Sequence, residues 1–241
     1  MSIPRKILCK VASITDHGGR VYTVELRPDF PLPPFRPGQF LHLTVEDYDP
    51  SGFWPESRVF SIASSPNERN LILICYSVVG RYTAKMEQVL KVGGVVWVKM
   101  PYGDFIIDEA ADVVLITGGT GIGAFSAFLE TISPVSERRI TLLYGARNPA
   151  RYLFEPLIKS REATIPNFKV FWFAESDAQP PVKTGRIDLS QLPSDRSCMF
   201  GNTLSCPTYY ISGPPAMLKK VSADLITKGV SPENIKTDAW E

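Results

Sequence analysis

Val113-Val114-Leu115-Ile116-Thr117 runs without interruption into Gly118-Gly119-Thr120-Gly121-Ile122-Gly123-Ala124. Four aliphatic residues and a threonine read as a strand buried on both faces, the pattern of a parallel sheet covered by helices. Beyond the glycines, Phe125, Phe128, Leu129 and Ile132 fall at i, i+3, i+4 and i+7, so residues 124–132 predict a helix with one apolar face. Gly119, Gly121 and Ala124 match the G-x-G-x-x-G/A spacing of a strand–turn–helix that carries a pyrophosphate on its helix N-terminus. A plain tight turn would use the same glycines, so the flanking strand and helix carry the nucleotide reading. An acid about 20 residues on, at the end of the second strand, would bind the ribose. Tyr144-Gly145-Ala146-Arg147 occupies that region instead, and the first acid at a strand end is Glu175. A nucleotide-binding sheet is implied, different from the usual Rossmann dehydrogenase.

Downstream, apolar runs at 141–145, 169–173, 209–212 and 235–240 alternate with helical segments. Residues 214–228 open with Pro214-Pro215, close at Gly229, and carry Met217, Leu218, Val221 and Leu225 on one stripe. Upstream the period changes to two. Short β-rich runs at 7–14, 21–27, 39–45, 59–63, 71–79 and 95–100 are separated by turn signals, and residues 83–90 predict a helix at one end of the assembly. The expected architecture is two-domain: an N-terminal antiparallel six-stranded β-barrel (1–108), then a C-terminal α/β domain with a five-stranded parallel sheet (109–241).

The 241 residues are 44% hydrophobic and 21% charged, ordinary for a globular chain, with a formal charge of +1. Residues 1–108 hold 12 basic and 11 acidic side chains and residues 109–241 hold 14 of each, so neither half has the basic excess of a nucleic-acid binder. No signal-peptide core and no long apolar span is present, which leads to the expectation of a cytoplasmic protein without membrane insertion. Cys9, Cys75, Cys198 and Cys206 form no CxxC or iron–sulfur spacing, Cys198 and Cys206 read as reduced thiols, and His17 and His42 are too few for a metal site. No metal is expected.

Arg58-Val59-Phe60-Ser61-Ile62-Ala63-Ser64 resembles the RxYS(I/T)xS flavin motif of the ferredoxin–NADP reductase superfamily, and other motifs follow in that family's order. Pro37-Gly38-Gln39 matches PGQ, Gly80-Arg81-Tyr82-Thr83 GxxS/T, Pro101-Tyr102-Gly103-Asp104-Phe105 PxGxF, Gly118–123 GGTGI, Tyr144-Gly145-Ala146-Arg147 YGxR, and Ser212-Gly213-Pro214-Pro215-Ala216-Met217 CGPPxM. The resemblance spans residues 37–217 and implies FAD and NAD(P)H as cofactors.

It also implies roles. Arg58 would bind the FAD pyrophosphate, with Gly80, Tyr82 and Thr83 completing the cradle at a helix start. Phe60 would pack on the isoalloxazine, with Ile62 and Tyr76 in the same flavin site, and Ser61 would lie near flavin N5. Gly118, Thr120 and Gly121 would hold the NAD(P) pyrophosphate, with Ser212, Gly213 and Pro214 beside the nicotinamide. The tail Asp238-Ala239-Trp240 resembles the family's acid-x-aromatic ending, which makes Trp240 a shield over the flavin and Asp238 an acidic partner of Ser61 and Ser212; a frayed terminus is the alternative. Ser61, Ser212, Asp238 and Trp240 are thus the catalytic candidates. Met217 would lie near the adenine side or pack in the helix core, the core being favoured.

Three departures stand out: Phe60 replaces the motif tyrosine, Ser212 replaces the cysteine, and Cys75-Tyr76 replaces a basic pair. In the family, the residues after the third strand discriminate NADH from NADPH. Here Glu175 and Asp177 favour NADH, while Arg147, Lys183 and Arg186 are placed to argue for NADPH. The resemblance implies a flavoprotein oxidoreductase that passes electrons to a separate acceptor: ferredoxin, flavodoxin, an oxygenase component or a small oxidant. The competing reading is an FAD-bound docking subunit of a larger redox complex with little activity alone.

Overall fold

A computed structural model describes residues 3–107, 112–192 and 206–238. Trp240 and Cys198 lie outside the described residues. The chain divides into two compact units, Met1–Ile106 with Gly123–Thr131, and Ile107–Ile122 with Ile132–Glu241.

The first unit is a nearly closed antiparallel barrel of β1 (Arg5–Asp16), β2 (Val21–Pro28), β3 (Phe40–Thr44), β4 (Arg58–Ser61), β5 (Ile72–Ser77) and β6 (Val95–Tyr102), in the order β4-β3-β6-β1-β2-β5. Strand β1 serves two neighbours: residues 5–10 pair with β6 and residues 9–16 with β2, and a register shift between Val11 and Ser13 lets it bend from one to the other. Closure comes just past β4, where Ala63 N–H donates to the Leu73 carbonyl (2.8 Å). Alternation sends Ile7, Cys9, Val11, Val24, Leu26, Leu41, Leu43, Ile72, Ile74, Val96 and Val98 into one core. Helix α1 (Arg81–Val89) adds Tyr82 and Met86 to it. Burying a side chain such as Met86 stabilises by roughly 1.5–3 kcal/mol. Helix α2 (Gly123–Thr131) groups with this unit; Ser126 Oγ donates to the Ala63 carbonyl (2.7 Å).

The second unit carries a parallel sheet, β10-β9-β8-β7-β11-β12. Its strands are β7 (Val113–Gly118), β8 (Ile140–Ala146), β9 (Phe168–Ala174), β10 (Lys183–Thr184), β11 (Thr208–Ser212) and β12 (Ile235–Thr237). The five expected strands are all there, and the two-residue β10 adds a sixth at the edge, too short to show a period. Helix α3 (Glu155–Thr164) fills the helical position between β8 and β9, but its bounds are not marked in the sequence, because only Ile158 on it is buried and no apolar stripe delimits it. Helix α4 (Pro215–Thr227) lays Leu218, Val221 and Leu225 over Val114, Ile116, Tyr209 and Ile211. Chain order runs outward from β7 through β8 and β9 on one side and resumes at β11 on the other, so β7 and β11 flank a topological switch point. Ligands of open α/β sheets bind outside the carboxyl ends of the strands at such a point. No helix among the described residues is long and apolar enough to cross a membrane.

Candidate functional site

Each unit carries its own cluster of functional residues. In the barrel, β4 pairs with β3 in the register Leu43↔Arg58, Leu41↔Phe60 and Phe40↔Ser61. Phe60 is buried, its ring 5.9 Å from that of Tyr76, which stacks in turn near Tyr22 (5.4 Å). Burial pushes the Tyr76 hydroxyl up to about 12. The same cause lifts the Cys75 thiol to about 12, so this cysteine is a neutral packing group. Ile62 is fully buried and its N–H donates to the Gln39 carbonyl (3.0 Å). Ser61 ends β4 and is partly buried.

The start of α1 lies beside this strand. Thr83 Oγ1 accepts from Val79 N–H (3.0 Å) and Gly80 N–H (3.1 Å), folding the chain into the first helical turn. A Cβ built on Gly80 would meet nothing within 4 Å, so the approach to this helix start is open. Arg58 lies over the Tyr82 ring (4.7 Å), with Nη1 donating to the Ser57 carbonyl (2.8 Å). Tyr82 itself is buried; its hydroxyl donates to the Glu56 carbonyl (2.9 Å) and accepts from Val45 N–H (3.0 Å). Tyr82 and Thr83 therefore build the cradle from beneath, while Arg58 and Arg81 present the charge. A helix start flanked by two guanidiniums suits a pyrophosphate.

In the second unit, β7 leads into a 3₁₀ turn, Gly119–Ile122. Gly119 has φ +57°, a left-handed conformation that glycine adopts without strain. Gly121 is required for a different reason: a Cβ there would lie 2.4 Å from the Ser212 carbonyl oxygen and 2.7 Å from Gly213 N. The Tyr144 hydroxyl fastens the turn, donating to the Gly119 carbonyl (3.2 Å) and accepting from Leu153 N–H (3.0 Å). In the sequence Tyr144 stands out only as the first residue of YGxR; its role comes from the register that sets it opposite Thr117 on the neighbouring strand.

At the switch point Ser212 Oγ donates to Asp238 Oδ2 (2.9 Å), and Asp238 N–H donates to the Ile211 carbonyl (2.8 Å). Both side chains are buried. Thr117 is the register partner of Ser212 on β7 and lies, with it, on the sheet face opposite Ile116 and Ile211. Its fully buried Oγ1 has no hydrogen-bond partner among the described residues, and nothing in the motif reading pointed to it. Gly213 and Pro214 follow Ser212 into α4, where Pro214 caps the helix and its carbonyl accepts from Met217 N–H (2.8 Å). Met217 packs against the core under α4, as expected.

The loops after β8 and β9 meet: the Arg147 carbonyl accepts from Ser176 N–H (2.9 Å), and Glu175 N–H donates to the Ala146 carbonyl (3.2 Å). Glu175 Oε1 also accepts from Arg186 Nε (3.3 Å), an exposed pair. Ser176 Oγ donates to Asp177 Oδ2 (2.9 Å). Lys183 hydrogen-bonds Gln191 instead of reaching the two acids.

The family described as an oxidoreductase NAD-binding domain matches residues 115–223. A flavohemoprotein of Rhizobium meliloti (strain 1021) is 25% identical over 218 residues, 87% of this chain and 54% of the relative. The reductase component of a phenol 2-monooxygenase from Pseudomonas sp. (strain CF600) is 31% identical over 163 residues, 66% of this chain and 44% of the relative. The chain thus spans about half the length of these curated relatives. The FAD/NAD-binding domain of a nitric oxide dioxygenase from Vibrio cholerae has the same fold, with a TM-score of 0.80 at 20% identity over 97% of this chain and 98% of that one.

Proposed function

From a chain that belongs to the ferredoxin–NADP reductase-like superfamily, we infer a flavoprotein oxidoreductase that oxidises NAD(P)H through FAD and hands electrons to a separate acceptor. The two cofactors, when bound, supply the redox chemistry: the nicotinamide gives up a hydride and the flavin accepts it. Residues 1–108 hold the flavin in this reading and residues 109–241 the nicotinamide nucleotide. The observation that carries it is the glycine turn at the switch point, packed against Ser212 and set beside the buried Ser212–Asp238 hydrogen bond.

Arg58 and the start of α1 bind the FAD pyrophosphate, and Phe60, Ile62 and Tyr76 form the wall against which the flavin rests. The peptide groups from Gly118 to Gly121 receive the nucleotide pyrophosphate, and Gly213 and Pro214 border the nicotinamide. Ser212, whose hydroxyl proton points to Asp238, presents an oxygen acceptor to the bound ring, while Ser61 and Trp240 are assigned to the flavin side. Glu175 and Asp177 follow β9 as two carboxylates that would repel a 2′-phosphate brought to this loop, which supports NADH as the donor; the Arg186 partner of Glu175 softens that preference without reversing it. The acceptor is an oxygenase component or a ferredoxin- or flavodoxin-like protein, a reading supported by the relative named as a reductase component. A small oxidant serves in its absence.

The test is anaerobic addition of NADH, then NADPH, to the FAD-loaded protein while flavin absorption is followed. NADH is expected to bleach the flavin at the lower concentration. A chain that takes up no FAD overturns the function; bleaching by NADPH alone overturns the role of Glu175. A flavin that binds tightly and stays oxidised with either nucleotide favours the docking-subunit reading.

A further inference from the structure

The loop before β4 places a carboxylate between the two guanidiniums of the barrel cradle. Arg81 Nη2 donates to Glu56 Oε1 (2.8 Å) and Oε2 (3.0 Å), and Arg58 Nη2 donates to Glu56 Oε1 (3.3 Å). By contrast, Glu46 and Glu87 on this unit each pair with a single cation, Lys85 and Arg20 respectively. Glu56 is also held from behind. Its carbonyl accepts from Tyr82 Oη (2.9 Å) and from Thr44 Oγ1 (2.8 Å), so the backbone that carries the carboxylate is fixed to the buried side of the cradle.

Arg58 is restrained in the same way, by the Tyr82 ring under it and the Ser57 carbonyl beside it. Three charged groups are thus set around one open helix start, whose N-cap residue Gly80 brings no side chain of its own. A guanidinium fork recognises a carboxylate and a phosphate through the same pair of N–H donors. The cradle therefore already contains an anion of its own.

We propose that Glu56 is a built-in competitor for the phosphate-bearing ligand of Arg58 and Arg81, and that it sets how strongly the protein retains FAD. The proposal rests on the flavin reading above. When a pyrophosphate reaches the α1 start, Arg81 and Arg58 exchange the carboxylate for phosphate oxygens, and Glu56 must turn away from a dianion it would repel. Both effects weaken binding relative to a neutral side chain of the same shape. The pairs are exposed, Arg81 to 83% and Glu56 to 40%, which limits the size of the effect.

The experiment titrates the full chain and its Glu56→Gln variant with FAD and, separately, with riboflavin, which has the ring system and no phosphate, reading flavin fluorescence. FAD is expected to bind the variant about three- to ten-fold more tightly, with riboflavin affinity unchanged. In an Arg81→Gln background the same substitution is expected to give a smaller gain, because one of the contested cations is gone. Unchanged or weaker FAD binding by Glu56→Gln overturns the proposal, since Glu56 would then organise the arginines for the ligand. An equal gain for riboflavin also overturns it, by placing the effect away from the phosphates. If neither protein takes up FAD, the flavin reading itself fails, and that result is distinct from a wild-type protein that binds FAD while the variant shows no gain.

Discussion

In the proposed function the barrel and the sheet each hold a pyrophosphate, and the two cradles are built from opposite materials. At the barrel, charged side chains at the surface do the work: Arg58 lies over the buried Tyr82 and shares the Glu56 carboxylate with Arg81. At the sheet no charged side chain is needed. The turn relies on backbone shape, fastened by the Tyr144 hydroxyl and seated against β11 at a distance that leaves no room for a methyl group. A cradle of exposed charges is adjustable and sensitive to ionic strength. One made of closely packed backbone tolerates almost no change in volume.

The largest effect is therefore expected at the backbone cradle. Gly121→Ala drives a Cβ into the Ser212 carbonyl at 2.4 Å, and the atom in the way is backbone, which cannot rotate aside. Separation of β7 from β11 would follow, costing about 1–3 kcal/mol of stability or more. NADH affinity is expected to fall more than about 100-fold, since the peptide groups facing the phosphates would be displaced along with the turn. Titration with NADH and a melting curve check this, with FAD content as the control on the barrel. A variant that binds NADH normally would show that the turn is structural and that the contrast between the cradles is false.

Arg58→Gln probes the other material and should do less. It removes one charged fork and keeps Tyr82, Thr83 and the open approach at Gly80 in place. FAD affinity is expected to drop about 10- to 100-fold, the range for losing charge-assisted hydrogen bonds to a phosphate, with the loss shrinking as salt is raised. Equilibrium titration at two ionic strengths is the measurement. A loss independent of salt would mean that Arg58 acts by packing on Tyr82 and would remove the distinction between the two cradles.

The same contrast explains what the sequence disclosed. Period-two runs before residue 103 and apolar runs after residue 113 report the burial of whole faces, so both sheets and the helices α2 and α4 were legible. So was the seat of the glycine turn, because only glycine satisfies such spacing. Asp238 was placed beside Ser212 from the tail motif, and the two are joined by a 2.9 Å hydrogen bond. Helix α3 left no stripe, since Ile158 alone is buried on it. Glu56 was invisible for another reason: an exposed acid two residues before a motif has no signature until a loop folds it back between Arg58 and Arg81. Thr83 illustrates the limit of motif transfer, as its hydroxyl closes the turn that makes the cradle.

The smallest effect, with the opposite sign, is expected at Thr117. Each polar side chain of the barrel cradle that carries charge has a partner, whereas the row at the end of the sheet contains a hydroxyl, Thr117 Oγ1, buried completely without one among the described residues. A buried donor left unmade costs about 1–3 kcal/mol, and Thr117→Val removes it while keeping the branched shape that packs on β11. The variant is expected to be more stable by about 1 kcal/mol, a rise of roughly 2–4 °C in melting temperature for a chain of this size. Its neighbour Ser212 keeps the hydrogen bond to Asp238, so reduction of the flavin by NADH should continue near the wild-type rate. A lower melting temperature would mean that the hydroxyl is bonded in solution. A higher one accompanied by weaker NADH binding would mean that the sheet holds this unpaired group in reserve for its nucleotide, and the backbone cradle would then depend on a side chain after all.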